Sequence, residues 1–324
     1  MQRRHDTNRG IMKIYLQARG SYQTLLDLSK WSEENQIERI GLPDHYIVGK
    51  QRHNKDEAAP ALDLMTACAG LVRDTERMVY SILVSPITFR HPSVLVKMAS
   101  TINDMAQGRF RLGVGTGWLE TEHELYGIPF PDLQTRFEML EESLLYIREA
   151  LSGNKNGFKG KYFNLEQFPV EPAALKDIPI IIGGGGKVKT PTLAGRYSKE
   201  FNIYAGPKDT LEKSINLFKN VAEENNRDVA SIEVTTACPP VVGLNESSVH
   251  ESLITTAKAL IQPEDEIAKN WKDRSYLYGT PEQVAEILGM WKEVGISAVY
   301  LQLLSLEEDK RNETIEVIRQ AIDL

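Results

Sequence analysis

Hydrophobic and polar positions follow two spacings along the chain. Short apolar runs, typical of buried strands, alternate with longer segments in which apolar residues recur every three to four positions, as on one face of a helix. The apolar runs predict eight strands at 11–17, 37–42, 78–85, 109–115, 178–182, 201–205, 232–237 and 299–304. The helical segments that follow them are 22–35, 61–72, 93–105, 135–151, 190–199, 208–225, much of 247–294, and 307–322. Residues 152–177 read as irregular.

Eight strand–helix units in succession point to one fold class. Regular alternation of strands and helices is typical of a parallel α/β sheet. We therefore expect a (β/α)8 TIM barrel that forms a single domain over residues 11–324, after a disordered extension at 1–10. An open, doubly wound parallel sheet with a second domain is the alternative that the pattern leaves open.

The most distinctive stretch is the segment that starts at Gly108, GRFRLGVGTGWLETEHELYGIPF. Its strand ends in Gly115-Thr116-Gly117-Trp118, a turn that carries an indole. It is not a dinucleotide-binding motif, because the position that needs a third glycine holds Trp118. Ligands of α/β proteins bind outside the carboxyl ends of the strands, so this turn is a candidate site. A glycine-rich turn without a ligand is the alternative.

Two other strand ends carry polar chemistry. Asp44-His45 follows the second strand, where histidine is suited to acid–base work and the neighbouring carboxylate can orient the imidazole. A strand-end cap with a surface imidazole is the alternative. Gly183 to Gly186 follow the fifth strand and precede Lys187 and Lys189. Consecutive backbone N–H groups there can bind an anion, although the spacing is not that of a P-loop and a flexible turn remains open.

Composition narrows the classes of function. The chain has 324 residues, a hydrophobic fraction of 41% and a net charge of −7, which disfavours a broad nucleic-acid surface. No apolar run approaches the roughly 20 residues of a membrane helix, and the amino terminus lacks the apolar stretch of a secretory signal. Cys68 and Cys238 read as reduced core residues of a cytoplasmic protein, although pairing stays open.

The remaining titratable residues do not form a recognisable metal or nucleophile motif. His123 lies among Glu120, Glu122 and Glu124 without a metal-ligand spacing, so a solvated acidic helix and no metal are expected. Neither cysteine and no serine lies in a nucleophile motif. Acid–base and anion-binding features without a nucleophile or metal suggest a bound organic cofactor.

These stretches also carry a family resemblance. LPDHY at 42–46, the long block at 85–142, PIIIGGGG at 179–186 and GTPEQVAEIL at 279–288 resemble the luciferase-like monooxygenase superfamily, and within it the coenzyme F420-dependent oxidoreductase branch. The resemblance implies a TIM barrel with insertions at its C-terminal face. It also implies a homodimer that acts on a small molecule. The composition adds the expectation of a cytoplasmic protein without a nucleic-acid or membrane partner.

The resemblance assigns roles by position. His45 matches the residue given an acid–base role, and a non-prolyl cis peptide that supports the cofactor ring would fall at Ile82–Leu83. The residues expected to bind the cofactor are Asp44, Ile82, Leu83, Ser85, Gly115, Thr116, Gly117, Trp118, Gly183, Gly184, Gly185 and Gly186. Two departures, the absence of Phe-Gly in the first strand and the sequence at 199–202, leave the substrate contacts there unassigned.

Three functions follow as hypotheses. The first is hydride transfer between coenzyme F420 and a small organic substrate, with a cationic rim for the anionic tail formed by Lys50, Arg52, Lys55, Lys187 and Lys189. The second is an FMN-dependent monooxygenase that uses O2 and reduced flavin from a reductase partner. The third is a non-catalytic flavin- or deazaflavin-binding protein. Trp118 and the aromatic residues of 158–168 favour an apolar or aromatic substrate.

Overall fold

The computed structural model describes residues 11–49, 53–152, 156–167, 177–303 and 307–324. The predicted disordered extension at 1–10 therefore lies outside the described residues. In chain order, the strands are β1 Lys13–Gln17, β2 Arg39–Leu42, β3 Ile47–Val48, β4 Ala59–Pro60, β5 Val79–Ile82, β6 Ser85–Pro86, β7 Phe110–Gly115, β8 Asn156–Lys159, β9 Asn164–Gln167, β10 Ile180–Gly183, β11 Glu200–Tyr204, β12 Glu233–Cys238, β13 Val241–Val242, β14 Tyr278–Gly279 and β15 Ala298–Gln302.

The helices begin where the sequence offers capping oxygens. The side chains of Ser21, Asp63 and Asp132 accept hydrogen bonds from the first-turn N–H groups of α1, α2 and α5. In chain order, the helices are α1 Tyr22–Glu34, α2 Leu64–Asp74, α3 Pro92–Met105, α4 Glu120–Tyr126, α5 Leu133–Leu151, α6 Lys189–Tyr197, α7 Lys208–Glu224, α8 Glu246–Leu260, α9 Glu264–Asp273, α10 Pro281–Val294 and α11 Glu308–Asp323. None of the described helices is long and apolar enough to cross a bilayer.

The chain divides into two compact units, of which the larger comprises Gln17–Asn202 and Leu217–Ile232. Within it, β2 pairs with β5, β5 with β7, β7 with β10, and β10 with β11, and every pair is parallel. The register aligns Leu42 with Ile82, and Gly183 with Asn202. Five neighbouring strands therefore have their carboxyl ends at one edge, where their loops can form a site.

The smaller unit comprises the chain up to Leu16, Ile203–Asn216 and Glu233–Leu324. Its strands β12 and β15 pair in parallel, and β1 is the other neighbour of β15. Apart from β8 and β9, the described residues contain eight strands of four or more residues, five in the larger unit and three in the smaller, and these correspond to the eight that the sequence pattern predicts. Within the smaller unit, the indole of Trp271 donates to the carbonyl of Pro239 at 2.7 Å. Its ring packs with Val241, Leu253 and Ile267.

Residues 152–177 are not wholly irregular, and here the sequence prediction was wrong. β8 and β9 form an antiparallel hairpin, with Phe158 opposite Leu165. The carboxylate of Glu142 on α5 accepts the backbone N–H groups of the three residues at the turn, 161–163. Short polar strands have weak periodicity, and this hairpin depends on α5 for its anchor, so the local sequence alone did not reveal it.

A buried charge cluster lies near the amino-terminal ends of the strands in the larger unit. Glu200 is fully buried at the start of β11 and pairs with Arg39 of β2 at 3.0 Å and Arg111 of β7 at 3.3 Å. Its carboxylate therefore links three strands. Charges that are removed from water in this way are retained only when each is paired.

Candidate active site

His45 and Glu122 meet at the carboxyl edge of the larger unit. His45 comes from the loop after β2, and Glu122 comes from α4, the helix after β7. The Nδ1 atom of His45 is 3.0 and 3.1 Å from the two carboxylate oxygens of Glu122. Glu122 is fully buried, whereas the side chain of His45 is 20% exposed. The imidazole is thus fixed on one side and accessible on the other.

Trp118 covers the same imidazole. Its ring lies edge-on to His45, with centroids 5.6 Å apart, and 5.7 Å from the ring of His53. Gly117, the residue before Trp118, has a φ angle of +75°, a backbone conformation that favours glycine. Arg136 of α5 donates to the carbonyl of Gly117 at 2.7 Å. The turn therefore holds a half-exposed indole in a defined position.

Asp44, the residue before His45, faces away into a buried ionic cluster. Arg90 Nη1 lies 2.5 Å from Asp44 Oδ2 and 3.2 Å from Ser85 Oγ, and Nη2 contacts Asp63. Burial is the largest single influence and acts to lower the pKa of Arg90, but the charge and hydrogen bond of Asp44, together with Tyr46 and Asp63, raise that pKa above its ordinary value. Asp44 and Ser85, both predicted site residues, are therefore joined through an arginine that the sequence pattern did not reveal.

Val84 occupies a slot made by three glycines. A Cβ atom at Gly113 or Gly115 would lie 2.9 Å from a methyl group of Val84, and one at Gly183 would lie 3.0 Å away. Such contacts are closer than van der Waals packing allows. Gly113, Gly115 and Gly183 therefore leave the space that the side chain of Val84 fills between these strands.

A non-prolyl cis peptide lies at Leu83–Val84, one residue later than the predicted Ile82–Leu83. The strand pairing explains the difference. Ile82 is still in register with Leu42, and the N–H of Leu83 donates to the Leu42 carbonyl at 2.8 Å. β5 ends at Ile82, but this bond keeps Leu83 beside β2, and the carbonyl of Leu83 accepts a bond from Gln17 Nε2 at 3.3 Å.

The glycine run after β10 leads into the amino terminus of α6. Gly184 has φ +143, and a Cβ atom at Gly186 would lie 2.5 Å from the hydroxyl oxygen of Thr190. The N-cap residue of α6 is Val188, which has no side-chain oxygen to accept the first N–H groups of the helix. The backbone there has the features of an anion cradle, with exposed Gly185 and Lys187 beside it.

The sequence pattern of the luciferase-like monooxygenase family matches residues 12–298, most of the chain. The chain belongs to this family. It is 25% identical to the F420-dependent glucose-6-phosphate dehydrogenase of Rhodococcus hoagii over 84% of this chain and 85% of that protein. It is 32% identical to the enzyme of the same name from Microbacterium testaceum, over 56% of this chain and 52% of that protein.

A solved structure of an F420-dependent secondary alcohol dehydrogenase, in complex with an F420-acetone adduct, has the same fold. It is 20% identical, superimposes with a TM-score of 0.79, and the match covers 96% of this chain and 99% of that one. The family match and this likeness confirm the predicted luciferase-like (β/α)8 barrel. The prediction of one domain over residues 11–324 stays a prediction.

The structure brings some of the predicted residues together and rearranges others. His45 meets Trp118, and Asp44 meets Ser85 through Arg90. Thr116 is half-buried beside Gly117 in the same turn, and its hydroxyl donates to the Gly117 carbonyl at 3.4 Å. Ile82 and Leu83 are buried, Ile82 in the sheet and Leu83 immediately after it.

The expectation of a solvated acidic helix holds for Glu120 and Glu124 of α4, which are exposed, but was wrong for the residues between them. Glu122 and His123 of α4 are both fully buried, because His45 and Thr88 bind them from other elements. His123 Nδ1 donates to the Leu119 carbonyl at 2.8 Å, and its Nε2 accepts from Thr88 Oγ1 at 2.7 Å. From the sequence alone, the buried polar residues of this short helix cannot be distinguished from exposed ones, because their partners lie on other elements.

The cationic rim and the aromatic segment are only partly what the sequence suggested. Lys50, Arg52 and Phe168 lie outside the described residues. Lys55 pairs with Glu124 at 2.8 Å, and Lys189 contacts Gln134 and the ring of Phe137. Phe158 packs against Tyr146, and Phe163 packs against His91. Phe158 and Phe163 thus attach the hairpin to its helices, and of the aromatic residues that the sequence suggested for substrate binding, Trp118 is the one beside His45.

Proposed function

We propose that this protein is an oxidoreductase that transfers hydride between coenzyme F420 and a small organic substrate. One observation carries the proposal: the carboxyl ends of β2, β7 and β10 present an accessible imidazole, an indole and a glycine cradle at one edge. The F420-dependent dehydrogenases that the chain is similar to support the choice of a deazaflavin. Proton and hydride transfer need an acid–base group and a redox cofactor, and this edge offers features suited to both.

The residues of the edge fit such a cofactor. A side chain at Gly186 would collide with Thr190, so the glycine lets the chain pass close to the amino terminus of α6, which has no side-chain cap and could bind a phosphate. Val84 would support the ring from below, and Trp118 would flank it. When bound, the deazaflavin would supply a carbon that accepts or donates hydride. The protein would supply His45, whose exposed side can exchange a proton with the substrate.

Two other functions remain as alternatives. The family is that of luciferase-like monooxygenases, so a chain with this fold can instead bind FMN and use O2 with a reductase partner. FMN ends at a single phosphate, for which the glycine cradle is sufficient. A non-catalytic flavin- or deazaflavin-binding protein would use the same cradle, since fold alone does not establish activity.

A fluorescence titration separates these functions. Purified protein is titrated with oxidised coenzyme F420 and, in parallel, with FMN at matched ionic strength. Tight binding of F420 that weakens with salt, together with weak FMN binding, is the expected result because the anionic tail interacts with the lysines near the cradle. Tight binding of FMN alone would replace the proposal with the monooxygenase, and binding of neither would refute it.

Variants and turnover complete the test. Gly186→Ala is expected to weaken F420 binding, whereas Gly289→Ala, on α10 with open space around it, should bind like the wild type. Loss of oxidised F420 absorbance with glucose 6-phosphate or a secondary alcohol would establish hydride transfer. Tight F420 binding without turnover in a broad panel of alcohols, aldehydes and enones would favour the non-catalytic alternative.

We further infer from the family resemblance that the active form is a homodimer. From the composition we infer that it is cytoplasmic and needs neither nucleic acid nor membrane. Sedimentation equilibrium of the full chain tests the dimer, and cell fractionation tests the compartment. A monomer at micromolar concentration would contradict the first inference. Recovery in the membrane fraction would contradict the second.

A further inference from the structure

Glu122 occupies a position that only an acceptor can satisfy. It is fully buried on α4, and its two neighbours beyond the helix both face it with nitrogen atoms. The backbone N–H of Tyr46 donates to Oε2 at 3.2 Å, and His45 Nδ1 lies within 3.1 Å of both oxygens. An ionised carboxylate is purely an acceptor, so both neighbours must donate to it.

This contact determines where the imidazole carries its proton. A neutral histidine has one N–H and one lone pair, and the hydrogen bond at one nitrogen determines the role of the other. With Nδ1 donating to Glu122, the lone pair is on Nε2. The carboxylate at Nδ1 is fully buried while the side chain of His45 is 20% exposed, so we infer that the exposed part of the ring lies away from Nδ1.

We propose that Glu122 is a positioning residue that fixes His45 in its Nδ1–H tautomer and thereby makes Nε2 the atom that accepts the substrate proton. Asp44, which precedes His45, is the carboxylate that the sequence suggests for this role. However, Asp44 is bound by Arg90 in the buried cluster. The two carboxylates therefore have separate tasks: one stabilises the loop and the other orients the base.

The catalytic consequence rests on the proposed function. When bound, the deazaflavin would accept hydride from the carbinol carbon of a secondary alcohol, and His45 Nε2 would form a bond to the proton released as the O–H bond breaks. The products would be a ketone, the reduced deazaflavin and the imidazolium. Glu122 stays ionised and stabilises that charge, as the buried carboxylate of a catalytic triad does.

Glu122→Gln provides a sharp test because geometry fixes how glutamine binds. The N–H of Tyr46 needs an acceptor, so the amide oxygen turns toward it and the amide NH2 group faces His45 Nδ1. The imidazole must then accept at Nδ1 and carry its proton on Nε2. The substitution should therefore invert the tautomer without changing the size of the side chain.

The tautomer is read by NMR of protein labelled with 15N in its histidine rings, in alkaline buffer where the imidazole is neutral, with His45→Gln to identify the signals. The wild type should show the proton on Nδ1, and Glu122→Gln should show it on Nε2. A wild-type spectrum with the proton on Nε2, or the same tautomer in both proteins, would overturn the proposal. This readout needs no cofactor, so it stands or fails separately from the proposed function.

Matched variants exclude a general structural effect. Glu124→Gln lies two residues further along α4 on an exposed carboxylate, and it should leave the His45 tautomer unchanged. Glu122→Asp retains an acceptor and should keep the Nδ1–H form. If turnover with F420 is found, Glu122→Gln should lower kcat by about 10²- to 10⁴-fold, the effect of a wrong tautomer or a lost base, while F420 binding is unchanged. An unchanged kcat would contradict the positioning role.

Discussion

Arg90 and Asp44 form a buried ion pair at the residue that precedes the candidate base, His45. Their closest atoms are 2.5 Å apart, and both side chains are almost fully removed from water. Because Asp44 is the neighbour of His45 in sequence, the pair fixes the backbone from which the imidazole projects. The loop after β2 is therefore held by an ionic cluster and not by apolar packing alone.

We expect Asp44→Asn to destabilise the protein by about 3 kcal/mol, since removing one member of a buried pair leaves its partner charge uncompensated. Urea unfolding followed by circular dichroism gives the free energy of unfolding. Asp63→Asn is the matched control, because that carboxylate also contacts Arg90 but its side chain is 34% exposed. An equal or larger loss in the control would show that Asp44 is not the main partner.

Acid sensitivity is expected from His123. Burial lowers the pKa of this imidazole below its ordinary value of 6.5, although the bond to Leu119 and the charge of Glu122 act the other way. The unfolded chain then takes up the proton first as the pH falls. The stability contributed by neutral His123 is complete above about pH 6.5 and declines below it.

The measurement for His123 is the free energy of unfolding between about pH 8 and pH 5. His123→Gln, which keeps a donor and an acceptor, should show a smaller decline with acidification than the wild type. The exposed His250 on α8 provides the control, and His250→Gln should follow the wild-type curve. Parallel curves for all three proteins would be inconsistent with a titrating His123.

Glu200→Gln should cost about 3–5 kcal/mol, because the side chains of Arg39 and Arg111 lose the buried carboxylate that pairs with both. The loss should change little with salt, since buried pairs are weakly screened. Asp273→Asn, in the exposed pair with Lys269, is the comparison and should change stability little. A small loss at Glu200 would mean that the cluster is not a stabilising element.

Gly113→Ala should prevent correct folding or destabilise strongly, because its Cβ atom would lie 2.0 Å from the backbone carbonyl oxygen of Ile82. Gly289→Ala, with nothing within 4 Å, should stabilise by about 0.5–1 kcal/mol through its helix preference. The yield of folded protein and the thermal midpoints of both variants test the pair. Wild-type stability of Gly113→Ala would contradict the tight packing of β7 against β5.

The fold was predictable because its periodicity is strong. Each predicted strand and helix corresponds to an element of the structure within a few residues. The β8–β9 hairpin was missed because its strands are polar and half-exposed. Its stability comes from Glu142, a residue of another element, and such a contact leaves no local pattern.

The site was only partly predictable. His45 and Trp118 stand out because each lies at a strand end that is rich in glycine or charge. Glu122 and Arg90 did not stand out, since their importance depends on partners far away in sequence. A glutamate on an acidic helix looks solvated until the imidazole that it binds is known. Long-range pairing, rather than residue type, was the missing information.

Val84 and the glycines around it also limit which substitutions the fold can accept at these positions. The methyl groups of one side chain fill the volume that side chains at 115 and 183 would otherwise occupy. The combined volume of the side chains at 84, 115 and 183 is therefore limited, and not only the residue type at each position. An alanine at 183 would meet Val84 first, so a smaller residue at 84 is expected to make room for it, whereas an alanine at 115 would still lie 3.3 Å from the backbone carbonyl oxygen of Gly183.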